Sequence, residues 1–557
     1  MVEIDPQVIQ TDVLVVGGGI AGLMASIAAA QAGASVVLAE KANTRRSGCG
    51  ATGNDHFLCY CPPVHGPDME PILKEVRNSQ VSGFHDPGLT VRFLEQTFNR
   101  VQDWHAWGID MRPHGDWEFA GHAFPGRPRV WLKYAGHNQK PALTQQARKQ
   151  GVRIENHMPI VDIIVREGRV AGALGLSVES DTPVLKVIRA KSVVLATGSG
   201  NRIYPSYASP GWMFNIAQCP SCTGGAQSMA FRAGAKLVNM EFPARHAGPK
   251  FFNRCGKATW IGMIKDPHGR PVGPFVTQAN RWVGDITADV WPAVFTEMTE
   301  NGTGPTYMDC TGTSAEDLEY MRWGLENEGN TGMLNYMARE GIDFRSHMVE
   351  FMQYEPFLVG RGVEIDKNAA THVPGLFAAG DPVGNFRADI AGAAVFGWIA
   401  GQSAATTAAQ TRTFASAETA PLVAARRDLF SEFMNRKNGP DWKEANLTVQ
   451  QVMNGYAGLK ARSETMLSAG FKYLMDLKSK ILKTVCADNA HTLMRCAEVI
   501  EMIDCGEVIF RTALERKETR AMHHRTDFPF TNPLLAEKFL TIRRENEQVI
   551  LEWRDKF

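Results

Sequence analysis

The sequence predicts an α/β fold in which a parallel sheet is flanked by helices, followed by a helical region at the C-terminal end. Three observations predict it. Residues 11–40 have the pattern of a buried strand, a glycine-rich turn, a helix and a second strand that ends in an acid. Residues 191–200 and 373–381 each have the pattern of an apolar strand that ends in glycine. From residue 426 onward, apolar residues recur three and four positions apart, which is typical of helices.

The first strand and turn predict a dinucleotide site. Residues 13–16 form a β-branched apolar run that suits a strand buried on both faces. The turn that follows, Gly17-Gly18-Gly19-Ile20-Ala21-Gly22, matches the G-x-G-x-x-G pattern. In this pattern Gly17 permits a tight turn, Gly19 lets the backbone approach a pyrophosphate, and Gly22 lets the helix pack closely on the strand. The N-terminus of the helix offers N–H groups and a positive dipole end to the same anion.

An acidic residue follows the glycine turn at about the spacing of 20 residues that dinucleotide-binding sequences show. Glu40 ends the second strand, where its carboxylate is predicted to accept hydrogen bonds from an adenosine ribose. The competing interpretation of residues 13–34 is a transmembrane helix, since the stretch is apolar and long enough to span a bilayer. Three successive glycines weaken a helix by about 1 kcal/mol each, and no Lys/Arg cluster flanks the stretch. We therefore predict no membrane span.

Composition excludes several classes of function. A chain of 557 residues is expected to form two or three domains. Its 59 basic and 59 acidic residues balance, which argues against a general nucleic-acid or anionic-membrane surface. The ten cysteines are scattered, without the spacing of a disulfide scaffold, which favours a reducing, cytoplasmic location.

Two further strand ends are predicted to meet the first. One strand leads into Ala196, Thr197 and Gly198, and another delivers Gly380 and Asp381. Because ligands bind at the carboxyl ends of parallel strands, three such ends can converge on one extended molecule. NAD usually needs only the first element, whereas FAD adds a ribityl chain and an isoalloxazine ring that require later contacts. We therefore predict FAD as the cofactor.

These elements resemble those of the flavoproteins that include fumarate reductase, succinate dehydrogenase, L-aspartate oxidase and adenylylsulfate reductase. The resemblance extends over nearly the whole chain through the strings at residues 47–54, 223–230, 232–235, 240–242 and 516–529. It implies a Rossmann-like FAD-binding domain, an inserted α+β capping domain and a C-terminal helical domain. The implied boundaries are 1–239 and 356–420 for the FAD-binding domain, 240–355 for the capping domain and 421–557 for the helical domain.

The resemblance also implies how FAD is held. Asp381 is expected to contact the ribityl chain, and the helix near Ala391 is expected to aim its N-terminus at the flavin, where a dipole stabilises negative charge. Many relatives tether FAD through a histidine that follows a serine. Here Gly48 follows Ser47, so we expect FAD to be bound without a covalent bond. The predicted cofactor-binding residues are Gly17, Gly19, Ile20, Ala21, Gly22, Glu40, Lys41, Ser47, Gly48, Thr52, Gly53, Ala196, Thr197, Gly198, Gly380, Asp381 and Ala391.

Residues 240–249 carry the prediction for the substrate. His246 stands six residues after Met240, where fumarate-reducing members have a histidine, while Arg245 matches a Pro-x-Arg string of adenylylsulfate reductases. An arginine in a flavin pocket can clamp a sulfate, phosphate or carboxylate with two parallel hydrogen bonds. We therefore expect a small anionic substrate, either a sulfur oxyanion such as adenylylsulfate or an unsaturated acid or enone. The predicted catalytic and substrate-binding residues are Arg245, His246, Arg387 and Asn54.

Other positions depart from the dicarboxylate-reducing members. Asp289 stands where the proton-donating arginine of the family would be, and Phe357-Leu358 replaces a His-Tyr pair. The Asn-Arg-Leu-Gly string that binds a carboxylate is replaced by residues 386–390, where Arg387 alone offers a comparable group. The sequence therefore argues against fumarate and succinate as substrates.

The close cysteine pairs do not complete a metal site. Neither Cys59/Cys61 nor Cys219/Cys222 has the partners of a tetrahedral or iron–sulfur site, so we predict structural thiols and no metal. Since no second redox centre is visible, electrons are expected to come from a separate iron–sulfur protein, as the resemblance implies. The basic run at residues 516–525 is a candidate docking surface for such an acidic partner.

Three functions stay open at this level. The first is an FAD oxidoreductase that moves two electrons between flavin N5 and a small anionic substrate, with a fumarate or enoate reductase as its variant. The second is an electron-transfer subunit whose flavin relays charge between protein partners without a small substrate. The third is an oxidase that uses O₂.

Overall fold

The computed structural model describes residues 6–78, 84–120, 126–207, 213–214, 216, 218–250, 260–273, 280–282, 291–413 and 416–556. Its strands are β1 (Pro6–Val16), β2 (Val36–Ala39), β3 (His56–Leu58), β4 (Trp131–Lys133), β5 (Arg153–Glu155), β6 (Ile160–Arg166), β7 (Arg169–Ser177), β8 (Val184–Leu195), β9 (Leu237–Val238), β10 (Ala247–Pro249), β11 (Met263–Lys265), β12 (Thr306–Asp309), β13 (Val349–Gln353), β14 (Gly362–Val363), β15 (Leu376–Ala378), β16 (Lys538–Glu545) and β17 (Gln548–Asp555). Its helices are α1 (Ile20–Gln31), α2 (Pro62–His65), α3 (Glu70–Arg77), α4 (Pro87–Ala106), α5 (Gln139–Lys149), α6 (Gly225–Arg232), α7 (Ala293–Glu300), α8 (Ala315–Asn327), α9 (Thr331–Arg339), α10 (Asp389–Ala409), α11 (Ser416–Asn435), α12 (Trp442–Ala457), α13 (Glu464–Thr484) and α14 (Ala490–Glu515).

A seven-stranded sheet carries the predicted strand ends. The order of its strands is β5-β2-β1-β8-β7-β6, and β15 also pairs with β8. Strand β1 runs parallel to β8, with Val16 opposite Leu195, and β15 runs parallel to β8, with Ala378 opposite the same Leu195. The three predicted strands therefore end side by side at one edge of the sheet.

Helices α1 and α10 pack against each other at backbone distance. A Cβ atom at Gly397 of α10 would lie 2.4 Å from the carbonyl oxygen of Ala21, and one at Gly401 would lie 2.1 Å from that of Ala25. Side chains at these two positions would force the helices apart. The glycines thus hold the N-terminus of α10 beside the glycine turn that precedes α1.

Residues inserted between the two parts of the predicted FAD-binding region form a second core. Strands β10, β13, β12 and β11 make an antiparallel sheet in that order. Trp260 packs its ring edge-on against Phe351 at 5.1 Å between ring centroids, and Phe295 is buried beside them. The predicted α/β fold class with an inserted cap is confirmed by the two separate sheets and by the helices that follow. The limits 240 and 355 of the cap stay a prediction.

The C-terminal region combines helices with a returning hairpin. Helices α11–α14 follow one another, and α11 spans the predicted boundary at residue 420. The buried acids of α14 reach the FAD-binding region, since Glu498 pairs with Arg202 at 2.6 Å and Asp504 pairs with Arg232 at 2.6 Å. Strands β16 and β17 then form a hairpin that joins β9 and β14 in a four-stranded sheet, an element that the helical pattern did not predict.

The apolar stretch at residues 13–34 is not a continuous helix. It forms the end of β1, the glycine turn and α1. Among the described residues, none of the helices combines the length and the apolar character that crossing a membrane requires.

The basic run at residues 516–525 is largely internal. Arg516 is buried and pairs with Glu241 at 2.6 Å and with Glu518 at 2.6 Å. Arg525 is buried as well and pairs with Asp527 at 2.7 Å. These guanidinium groups tie the end of α14 to the start of the cap rather than facing solvent, so Arg516 and Arg525 are not part of a docking surface. For the exposed Lys517 and His524 the docking surface stays a prediction.

The close packing of α1 and α10 can be tested with two helical glycines. We expect Gly401→Ala to lower the free energy of unfolding by about 1–3 kcal/mol, because the added methyl group meets the Ala25 carbonyl. Gly455→Ala in α12, where nothing lies within 4 Å of the added Cβ, should instead raise it by up to about 1 kcal/mol. Urea unfolding of both variants checks this. Equal effects of the two substitutions would contradict the packing.

Candidate functional site

A cavity of about 510 Å³ lies where the three strand ends meet. Its volume falls within the range of about 300–1,000 Å³ that is usual for small-molecule and cofactor sites. Most of the residues predicted from the sequence line it. They are Gly17, Gly19, Ile20, Ala21, Glu40, Lys41, Ser47, Gly48, Thr52, Gly53, Asn54, Ala196, Thr197, Gly198, His246, Gly380, Asp381 and Arg387.

The glycine turn is shaped by backbone contacts. Gly17 has a φ of +99°, and a Cβ atom there would lie 2.4 Å from the carbonyl oxygen of Ala196. Nothing lies within 4 Å of a Cβ at Gly19, so a ligand can reach the backbone at that point. Gly22 does not line the cavity among the described residues, and a Cβ there would lie 1.8 Å from the Gly17 carbonyl oxygen. Gly22 therefore acts through close packing of α1.

Glu40 braces this turn from the second strand. Its Oε2 accepts a hydrogen bond from the backbone N–H of Gly18 at 2.6 Å, and its Oε1 accepts one from Ala42 at 2.7 Å. The sequence did not single out Lys140, whose buried ammonium donates to the carbonyl oxygen of Gly18. Burial lowers the pKa of Lys140 to about 8. The predicted contact between Glu40 and a ribose stays a prediction.

The polar groups of the cavity wall suit a phosphate and polyhydroxyl ligand. The Oγ atom of Ser47 is buried and has no hydrogen-bond partner among the described residues, although Ser47 lines the cavity. Thr197 accepts a hydrogen bond at Oγ1 from the backbone N–H of Ala226 at 2.8 Å, which fixes the loop after β8. Because buried polar atoms in native proteins are almost always satisfied, a ligand oxygen at Ser47 fits the donor set.

Asp381 and the start of α10 form the opposite wall. Burial raises the pKa of Asp381 to about 6. Asp389, Ile390 and Ala393, all in the first turns of α10, line the cavity, so the helix begins there. Ala391 is buried but does not line the cavity among the described residues. It contributes to the packing of the helix rather than to the wall.

Three of the four predicted catalytic residues come together in the cavity. The His246 ring is buried and stacks on Phe357 at 5.1 Å between ring centroids. Arg387 pairs with Asp389 at 2.8 Å, and its backbone N–H donates to Nε2 of His85 at 3.1 Å. The side-chain amide of Asn54 donates to the carbonyl oxygen of His56 at 2.6 Å.

Arg245 points elsewhere. Its Nε lies 2.7 Å from the sulfur of Met522, and Arg245 is not among the described residues that line the cavity. Burial lowers the pKa of Arg245, and the nearby Glu297 carboxylate partly offsets that effect. The guanidinium thus turns toward the C-terminal loop in this structure. Asp289, which replaces the family's arginine, lies outside the described residues.

Three thiols line the cavity, which the sequence did not predict. Cys49, Cys219 and Cys222 all contribute to the wall. The backbone N–H of Cys222 donates to the carbonyl oxygen of Cys219 at 3.0 Å, so the Cys-Pro-Ser-Cys segment forms a turn. A hydrogen bond from the Cys222 thiol lowers the pKa of Cys219 to about 6, with further help from the backbone N–H groups of Ser221 and Gly48. The C-x-x-C spacing could have pointed to Cys219 and Cys222, whereas the place of Cys49 in the same wall depends on the fold.

The other close cysteine pair lies in the core, and its structural role stays a prediction. Cys59 and Cys61 are buried, and burial raises the pKa of both thiols, that of Cys61 to about 11. Neither pair joins a third ligand to make a metal-holding group among the described residues. A group of that kind is formed there by Asp55, His56 and Glu328, two of which line the cavity.

The lowered pKa of Cys219 predicts early reaction with a thiol reagent. In FAD-free protein, we expect iodoacetamide to alkylate Cys219 at a rate that reaches half its maximum near pH 6, because the thiolate is the nucleophile. Peptide mass spectrometry measures the alkylation rate, and the Cys219→Ser variant serves as the control without this thiol. Added FAD should slow the alkylation of Cys219. A half-maximum near pH 8.5, the range of an ordinary thiol, would contradict the geometry.

Two family models match this chain. A model described as "FAD binding domain" matches residues 12–388, and one described as "Fumarate reductase flavoprotein C-term" matches residues 446–555. A fumarate reductase (CoM/CoB) subunit of Methanothermobacter marburgensis is 24% identical, over 98% of this chain and 100% of that protein. The fumarate reductase flavoprotein subunit of Escherichia coli is 24% identical, over 94% of this chain and 89% of that protein.

Solved structures share the fold. Adenylylsulfate reductase from Archaeoglobus fulgidus superposes with a TM-score of 0.85 at 20% identity, covering 100% of this chain and 96% of that chain. The FrdA chain of Escherichia coli quinol fumarate reductase superposes with a TM-score of 0.81 at 22% identity, covering 99% of this chain and 97% of that chain. The whole described architecture, from β1 to β17, is therefore similar to one known arrangement of FAD-binding, capping and C-terminal regions.

Proposed function

Because this chain belongs to the FAD-binding flavoprotein family of the fumarate reductase type, and is thus an FAD-dependent oxidoreductase, we propose that it transfers two electrons between flavin N5 and a small anionic substrate. One observation carries the proposal. The cavity that collects the three strand ends also receives His246 and Glu328 from the inserted cap. A cofactor and a substrate can therefore meet in one cavity.

The residues of the cavity have separate tasks in this proposal. Bound FAD supplies the two-electron chemistry. The N–H groups at Gly19 and the start of α1 hold its pyrophosphate, Ser47 donates to a ligand oxygen, and Glu40 accepts from the ribose. Asp381 accepts hydrogen bonds from ribityl hydroxyls, and the positive end of α10 stabilises negative charge on the flavin. The cofactor is held without a covalent bond, since Gly48 offers no side chain.

Arg387 and His246 bind the substrate. The Arg387 guanidinium lies at the cavity with Asp389 as its ion-pair partner, and His246 is held in orientation by its stacking on Phe357. Arg387 neutralises a carboxylate or sulfur oxyanion, His246 hydrogen-bonds to it, and Asn54 closes the wall beside them. Arg245 was the sequence-based choice for the clamp, but its contact with Met522 favours Arg387 for that task.

An iron–sulfur protein supplies or accepts the electrons, in a cytoplasmic complex. Two kinds of support exist for this part of the proposal. The relatives from Methanothermobacter marburgensis and Escherichia coli are both named as subunits. The described thiols that line the cavity are those of Cys49, Cys219 and Cys222, one fewer than the four thiolates that usually hold a cluster.

Anaerobic reoxidation tests the function and the choice of arginine together. The bound FAD is photoreduced, and fumarate, crotonate, 2-cyclohexenone and adenylylsulfate are each added while the flavin absorbance is followed. We expect at least one anionic probe to reoxidise the wild-type flavin. Arg387→Ala should raise the half-saturating concentration of that probe about 10- to 100-fold, because a charge-assisted hydrogen bond of about 1.5–3 kcal/mol is lost.

Arg387→Lys and Arg245→Ala are the matched controls. The lysine keeps the charge and should recover part of the affinity, and Arg245→Ala should change the half-saturating concentration less than about threefold. All variants should keep the spectrum of bound FAD. A large rise in the half-saturating concentration for Arg245→Ala alone would show that Arg245, and not Arg387, binds the anion. Reoxidation by no probe, with reoxidation by a protein partner, would favour the electron-transfer role.

A further inference from the structure

A buried ionisable cluster stands beside the cavity, outside the residues assigned to cofactor and substrate above. Nδ1 of His56 lies 2.5 Å from Oδ1 of Asp55 and 3.7 Å from Oε1 of Glu328. The other oxygen of Asp55, Oδ2, accepts from the ammonium of Lys133 at 2.7 Å. Exposed fractions are 0% for Asp55 and Lys133, 7% for His56 and 4% for Glu328.

Three separate parts of the chain build this cluster. Asp55 immediately precedes β3 and His56 begins it, and the antiparallel register of β3 and β4 sets His56 opposite Lys133. Glu328 comes from the cap, at the end of α8. A Cβ at Gly53 would lie 2.0 Å from the carbonyl oxygen of Asn327, and Thr52 donates to the Glu328 carbonyl, so the cap turn rests on this loop.

Two residues of the cluster line the cavity and two lie behind them. His56 and Glu328 line the cavity together with Asp381 and Arg387, whereas Asp55 and Lys133 stand behind them, outside the described lining. The His56 ring is held at its flank by an edge-on contact with Trp131, at 5.2 Å between ring centroids. An oriented imidazole therefore faces the space where a substrate would lie.

Neighbouring positive charge keeps Asp55, the residue behind the His56 ring, ionised. Burial alone would raise the pKa of Asp55, but the Lys133 ammonium and the His56 ring hold it below its usual range. Asp55 thus remains a carboxylate and accepts a hydrogen bond at 2.5 Å from Nδ1–H of His56, which sets the tautomer. Tyr134 and Tyr320, two further titratable groups near Asp55, stay neutral because burial raises the pKa of both phenols above its usual value.

The same three acidic and imidazole groups have the spacing of a cation site, with ligand atoms within 4.8 Å of one another. Lys133 argues against a metal there. Its ammonium already occupies Oδ2 of Asp55 and supplies the positive charge that an ion would bring. Two carboxyl groups then face one ammonium and one imidazole. The arrangement suits a proton better than a cation.

We propose that His56 is a catalytic residue of this site, the proton donor and acceptor for the substrate, with Asp55 and Lys133 as positioning residues. The proposal rests on the proposed function and names its substrate class, an activated carbon–carbon double bond. His56, protonated on both ring nitrogens, donates its Nε2 proton to one carbon, while the other carbon receives a hydride, two electrons and one hydrogen, from reduced FAD. The flavin N5–H bond, the imidazolium Nε2–H bond and the π bond break, one C–H bond forms at each carbon, and Glu328 passes a proton from solvent back to His56.

The first experiment compares His56→Gln with His137→Gln, a nearby exposed histidine outside the described lining. Photoreduced holoenzyme is mixed with fumarate, crotonate or 2-cyclohexenone, and flavin absorbance is followed from pH 5 to 9. Since general acids contribute about 10²–10⁴ in rate, His56→Gln should slow reoxidation at least about 100-fold and flatten the pH profile. His137→Gln should match wild type. Reoxidation by His56→Gln within about threefold of wild type would overturn the proposal.

A second readout does not depend on any substrate. Proton uptake during photoreduction of bound FAD is measured with a pH indicator in weakly buffered solution near pH 7. Negative charge on the reduced flavin should draw a proton to His56, so wild type should take up more protons per flavin than His56→Gln. Equal uptake would overturn the proposal. If no probe reoxidises wild type, the proposed function fails, and this uptake still decides whether His56 exchanges protons.

Positioning is tested with both buried charges removed together. The double variant Asp55→Asn, Lys133→Met removes both partners of one buried ion pair together, so neither charge is left without the other and the protein should fold and keep FAD. We expect the pH at which the reoxidation rate falls to half its maximum to shift, while the half-saturating concentration of the probe stays within about threefold. An unchanged pH dependence of the rate would exclude a positioning role. A metal ion present at one per chain in wild type and lost in His56→Gln would overturn the proposal in favour of a cation site.

Discussion

The site depends on backbone surfaces that approach more closely than any side chain permits. At Gly22 the start of α1 touches the turn that precedes it, and at Gly397 and Gly401 helix α10 touches α1. At Gly17 the turn touches the end of β8. These contacts hold the carboxyl ends of three strands and the starts of two helices around one cavity, so the donors and dipoles of the wall are in place before a ligand binds.

The cap is joined to this scaffold by an equally tight contact. Gly53 meets the backbone of Asn327, and Gly329 meets Thr52, so the turn after α8 rests directly on the loop that lines the cavity. This contact carries Glu328 to the cavity wall. The C-terminal region adds buried ion pairs, where Glu498 joins Arg202 and Lys41. Lys41 is thereby tied to α14, and although burial alone would lower its pKa, the Glu498 carboxylate raises it.

The features that were predicted from the sequence are short local patterns, most of them at the ends of strands. The glycine turn, Glu40 and the strands before Thr197 and Gly380 were predictable because each is a short pattern with its own physical reason. The convergence of the three ends followed from the general behaviour of parallel sheets. The hairpin of β16 and β17 was not predicted, since its partner strand β9 ends at Val238, 300 residues before Lys538, and leaves no trace in the local pattern.

Side-chain partners that are distant in sequence were the hardest to predict. Arg245 has the right sequence context, yet its contact with Met522 depends on how the C-terminal loop returns. The basic run looks solvated until Glu241 is placed beside Arg516. The cluster around His56 draws on three separate parts of the sequence, residues 55–56, 133 and 328, which only β3, β4 and the cap turn bring together.

A titration of the FAD-stripped chain with FAD tests the central claim most directly. The account predicts saturation at one FAD per chain, return of the flavin to the supernatant after acid precipitation, and loss of binding in Gly22→Val, where the side chain meets the Gly17 carbonyl. Saturating binding that Gly22→Val leaves unchanged, or no binding by the wild-type chain, would contradict it.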